Sequence, residues 1–314
     1  CRVMSVPEPT AGAARSSGAD RWRCSEFRSR LPALVGASVD SEPSRDRLAH
    51  DSNPHAFQTA SPVRVYVLAG GWTVTLPYLL FHVLFVLPPL ALVLARRPAL
   101  SARRWLLSTV GIGLMTTVAV LYTTPWDNVL IERGVWWYGD GAVVARLWAA
   151  PVGEYLFFVF QTVLTGTWLY HVDFDPTPEP GDLDAVPRVV GALAWLALAG
   201  VGAACLLVFG QRWTYLGAIL VWAAPIVALQ WAVGGTYLLR AWRPWVAGVG
   251  VPTLYLWAVD RVAIGIGIWT ISDEFSSGFE LLGLPVEEAL FFLVTNLLVV
   301  YGLVLFEWVM ARWA

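Results

Sequence analysis

The chain has 314 residues, 57% of them hydrophobic and only 14% charged, with a mean hydropathy of +0.60 and a net charge of -2. Such proportions lie outside soluble domains and place the protein in a membrane; without a basic stripe or zinc-finger spacing they also exclude a nucleic-acid partner. Cys1, Cys24 and Cys205 are too few and too scattered for a disulfide framework or a metal knuckle, and the lack of any lysine rules out a retinal Schiff base.

Residues 1–64 are rich in Arg, Ser, Asp, Glu and Pro without apolar period, which predicts a disordered leader or an upstream segment outside the functional protein, starting near Val63 or Val67. Seven apolar stretches follow, at about 72–95, 104–124, 148–170, 188–209, 213–235, 244–264 and 284–308, each long enough to cross a hydrocarbon layer as a helix. Pro77, Pro88 and Pro89 predict a kink in the first, with neighbours satisfying the freed carbonyls. Arg96, Arg97, Arg103, Arg104, Arg240, Arg243 and Arg312 fall on one side of a seven-span chain, which predicts an outer N-terminus and a cytoplasmic C-terminus in the cell membrane.

A pattern recurs within these stretches. Asp127 and Trp136 return 133 residues later as Asp260 and Trp269; Pro151, Glu154 and Phe157 return after 134 as Pro285, Glu288 and Phe291. The fold class expected is an all-α integral membrane protein of two parallel three-helix repeats, residues 65–170 and 211–314, joined by a loop and linking helix at 171–210. Three helices invert the chain across the membrane and the unpaired fourth inverts it again, so both sets of acids lie at one level. Asp127, Glu154, Asp260, Glu287 and Glu288 are expected to converge on one chamber near the outer face.

Proline at the first helical position puts Glu154 and Glu288 about one turn inside their helices. Burial and a neighbouring carboxylate oppose the helix dipole there, so one acid is expected to keep its proton and an ionised neighbour to accept one. Glu287 lies about 100° around the helix from Glu288 and points elsewhere. Trp126, Trp136, Trp269 and Tyr155, with Phe158 and Phe292, offer rings that can steady a cation, although tryptophan and tyrosine at that level also suit an interfacial belt. Arg261 could neutralise Asp260. His82, among apolar residues, suits a helix–helix contact or a site role. Asp140 and Asp273 read as loop charges. No GxGxxG after a strand, GxxxxGK[ST] or HExxH occurs, and no aspartate clusters suit magnesium diphosphate, so neither cofactor nor metal is expected.

Pro125-Trp126-Asp127-Asn128, Pro151-Val152-Gly153-Glu154-Tyr155 and Pro285-Val286-Glu287-Glu288, together with Tyr78-Leu79-Leu80-Phe81-His82, resemble the membrane lycopene beta-cyclases found as paired bacterial subunits and as fused archaeal and fungal forms. The resemblance covers about residues 72–308 and, with the lysine-free composition, looks haloarchaeal. It implies non-redox cyclisation of the psi ends of lycopene to beta rings, with the five acids as the catalytic positions. The partners it implies are a carotenoid entering from lipid, the membrane lipid itself and other enzymes of the carotenoid pathway. Gly153 opposite Glu287 and Asn128 opposite Arg261 break the repeat and question whether two sites are equivalent. A proton-coupled transporter and a noncatalytic carotenoid-binding protein remain as rival readings.

Overall fold

The computed structural model describes residues 76–313; the leader expected at 1–64 lies outside them. The long helices are α1 (Tyr78–Ala95), α2 (Ala102–Glu132), α3 (Val152–Leu169), α4 (Ala185–Leu207), α5 (Thr214–Arg240), α6 (Trp242–Gly265) and α7 (Val286–Arg312). Among the described residues, five are long and apolar enough to cross a membrane: α1, α2, α4, α5 with the single 3-10 turn before it, and α7. The architecture is that of a multi-span, helical membrane protein. α3 and α6 are diluted by polar groups, including Glu154 and Gln161 in one and Asp260 and Arg261 in the other.

α2 outruns its expected stretch. Pro125 sits inside it, and Asp127 is a buried helical residue rather than one in the loop that follows. In α1, prolines 88 and 89 follow a π-helical turn at His82–Val86. Pro89 has no N–H to give the Phe85 carbonyl four residues back; the Tyr255 hydroxyl donates to that carbonyl instead, at 2.5 Å. In lipid, where water is absent, such substitution is what makes a helix break tolerable.

Among the described residues are six short strands, which the sequence pattern does not anticipate. β1 (Trp136–Tyr138) pairs antiparallel with β4 (Trp269–Ile271), Trp137 opposite Thr270. β2 (Arg146–Leu147) and β3 (Ala150–Pro151) form one hairpin, β5 (Glu280–Leu281) and β6 (Leu284–Pro285) another. The order helix, strand, hairpin, helix therefore occurs twice. Each hairpin turns through a non-glycine residue with positive φ, Trp148 at 64° and Leu282 at 55°, an uncommon conformation whose recurrence 134 residues apart marks a shared local fold. Asn128 and Arg261 tie these hairpins to their helices. The Asn128 Oδ1 accepts the Ala149 and Ala150 amides at 2.8 Å each, and the Arg261 Nε donates to the Leu282 carbonyl at 2.8 Å. Arg261 thus serves its hairpin rather than neutralising Asp260.

At the opposite end, the segment between α3 and α4 is fixed by Asp182, which accepts from the Arg240 Nε at 3.0 Å, the Arg240 Nη2 at 2.8 Å, the Glu179 amide at 2.9 Å and the Trp308 indole at 3.0 Å. Burial pushes this carboxyl up, but those donors outweigh it and hold it below the usual carboxylate value. Its contribution to stability is therefore complete above the ordinary aspartate range and disappears as pH falls through the lower folded value. Arg240→Ala is expected to cost roughly 2–4 kcal/mol, because it strands a buried carboxylate. Thermal unfolding in detergent at pH 7 checks this, and the gap to wild type should narrow as the solution is acidified.

Candidate active site

Four acids from different helices meet in one narrow cavity. Asp127 comes from α2, Glu154 from the first turn of α3, Asp260 from α6 and Glu288 from the first turn of α7. Pro151 and Pro285 stand at the N-cap positions of α3 and α7, one residue ahead of the first helical position expected, and the two glutamates stand in the first turns. Asp127, Asp260 and Glu288 keep 3%, 2% and 6% of their surface, so almost no solvent screens them. Among the described residues, no arginine or histidine lines the cavity. Unpaired carboxyls this deep are costly and point to chemistry rather than support.

Glu287 is elsewhere. Fully buried, it accepts the Ser277 amide at 2.7 Å and anchors the loop ahead of its own helix. Its counterpart is Gly153, where a Cβ would strike the Tyr78 ring.

Aromatic rings wall the cavity. Trp126 stacks on Phe291 with centroids 5.8 Å apart and planes 3° from parallel, and Phe157 meets Phe292 edge-on at 5.9 Å. Trp136 leans on Tyr215 of α5 at 5.4 Å, as Trp269 leans on Tyr78 of α1 at 5.1 Å. Three expected residues stand back. The Tyr155 hydroxyl donates to the Leu147 carbonyl at 2.6 Å, in the hairpin. Phe158 is buried in the core beside Tyr155. His82 is buried behind Tyr78, its Nδ1 2.8 Å from the Tyr78 carbonyl oxygen.

Three tyrosines in the site went unselected by the spacing. Tyr215 donates to Glu288 at 2.8 Å and Tyr138 to Glu154 at 2.5 Å, while Tyr78 lines the cavity beside Glu154. Tyr78 and Tyr215 are 137 residues apart and so out of step with the acids, yet their amides bond to Ala142 and Phe275 in corresponding loops. A search for Tyr-Leu at the head of each repeat's first helix would have found them. Among the described residues, no set of three His, Cys, Asp or Glu side chains is placed to hold a metal.

Fold and site together define a multi-span membrane protein built around a cluster of buried carboxyls with aromatic walls. No model of a known family matches the chain, and no solved structure does. Known proteins do match. A lycopene beta-cyclase of Halobacterium salinarum is 48% identical over 244 residues, covering 76% of this chain and 99% of that protein. Bifunctional lycopene cyclase/phytoene synthases of Aspergillus niger and Phaeosphaeria nodorum are 42% and 38% identical, over 62% and 73% of this chain but only 34% and 41% of their own length. The chain belongs to the lycopene beta-cyclase family.

Proposed function

We propose that this protein converts the acyclic psi ends of lycopene to beta rings, by way of gamma-carotene to beta-carotene, through proton addition, carbocation closure and proton loss. One observation carries the reading: four carboxyls share an aromatic-walled cavity that, among the described residues, no cationic side chain lines. Crowded acids of this kind hold protons between them, so one can donate while a neighbour accepts. The donated proton adds at C2 of the terminal double bond. The resulting C1 cation is attacked by the C5=C6 bond, and loss of the C6 proton restores the double bond with no net redox change. Trp126, Trp136, Trp269 and Phe292 line the cavity, where aromatic rings can steady the passing positive charge. Asp127, Glu154, Asp260 and Glu288 are the catalytic candidates; Glu287, Tyr155, Phe158 and His82 support them from behind.

The same reading takes all seven helices as spans, in two parallel three-helix repeats about an axis through the Trp137–Thr270 pair, with α4 as the link. The arginine distribution favours an outer N-terminus and a cytoplasmic C-terminus. Substrate enters from the bilayer, whose lipid is the other partner. Expression in a lycopene-producing cell followed by chromatography of the extract is the test. Cyclic carotenoid should replace lycopene; lycopene retained unchanged would favour a binding protein, and solute flux in sealed vesicles without spectral change a carrier.

A further inference from the structure

Glu154 and Glu288 occupy corresponding positions, but the groups that hold them differ. The Trp136 indole N–H, which can only donate, points at the Tyr138 hydroxyl oxygen at 3.1 Å. That phenol is buried, and the acceptor its own hydrogen meets is the Glu154 Oε1 at 2.5 Å. Donors therefore run one way, from indole to phenol to carboxylate, and a chain so directed favours negative charge at its end. In the other half Ile271 stands where Tyr138 would be. Trp269 there gives its N–H to Asp260 at 3.0 Å instead. Among the described residues Glu288 is held by Tyr215 alone, at 2.8 Å, and no indole donates to that phenol, so the bond can run in either direction and suits a protonated acid.

We propose that Tyr138 is a positioning residue that holds Glu154 as the proton acceptor of ring closure, leaving Glu288 as the donor. The proposal rests on the cyclase reading and assigns roles within it. The Glu288 O–H bond breaks as a C–H bond forms at C2. The C1–C6 bond then closes the ring, the C6–H electron pair becomes the new C5=C6 bond, and the proton passes to the Glu154 carboxylate. Before the next turnover that proton returns to Glu288 across the shared acid cluster, so nothing is consumed.

Product identity tests this, because the carbon that loses the proton depends on where the base stands. Tyr138→Phe should slow cyclisation about ten- to a hundredfold and divert part of the product to rings with the double bond at C4–C5 or outside the ring. Tyr215→Phe should slow the reaction while yielding beta rings alone. Loss of packing alone would lower all products without changing their kind. Should Tyr138→Phe fail to accumulate in membranes, Trp136→Phe keeps the phenol and should divert product in the same sense. Beta rings alone from the Tyr138 or Trp136 variant, or diversion by Tyr215→Phe, would overturn the proposal. No ring formation by the wild type would defeat the cyclase reading itself.

Discussion

Glu288→Gln and Glu154→Gln are each expected to reduce ring formation on the order of a hundredfold to ten-thousandfold, the usual worth of a positioned acid or base. The substitution is close to isosteric, and Tyr215 and Tyr138 can still donate to the amide oxygen, so both variants should reach the membrane in normal amount. What they lose is a carboxyl able to give or take a proton. The aspartates come from α2 and α6 rather than from the first turns of α3 and α7, so neither puts its carboxyl at the same point. Chromatography of carotenoids beside an immunoblot of the membrane fraction reads both quantities. Full activity in both variants would remove the glutamates from the mechanism.

Gly139→Ala should be comparably severe for a different reason. Gly139 donates its amide to the Ile268 carbonyl at 3.0 Å, extending the β1–β4 pair by one rung. A Cβ there would lie inside the van der Waals surface of the Gly267 carbonyl oxygen, a backbone atom with no rotamer to give way. Gly267 itself has φ 72° at the end of α6 and is held by a bond from its amide to the Ile264 carbonyl. The strands must therefore part, carrying Trp136 and Trp269 off the cavity wall. Roughly 2–4 kcal/mol of stability should go with them, together with most ring formation. Thermal unfolding in detergent and product analysis check this; a variant like the wild type in both would show the seam to be soft.

Much of this was legible in the residues, and what was not has physical causes. Long apolar runs marked the helices because lipid leaves no other home for them. The acid, tryptophan and proline spacings were readable because the loops between them differ by only one residue. Asp127 lies beyond the apolar stretch expected at 104–124, because the helix runs on through Pro125 to Glu132. The hairpins were invisible because strands of two residues carry no periodicity. Asn128 and Arg261 looked like a broken correspondence, yet both hold the turn beside them, one through its amide oxygen and the other through its guanidinium. Tyr138 could not be found from the repeat at all, since Ile271 is its counterpart.

The central claim is that both halves present their carboxyls to the same substrate end. A cryo-electron microscopy map of the protein with an acyclic carotenoid bound tests it most directly. The terminal isoprenoid unit should lie between α3 and α7, its reacting carbons within about 3.5 Å of the Glu154 and Glu288 carboxyls and its faces against Trp126 and Trp269. An end group resting against one glutamate alone, or held between helices away from both, would contradict it.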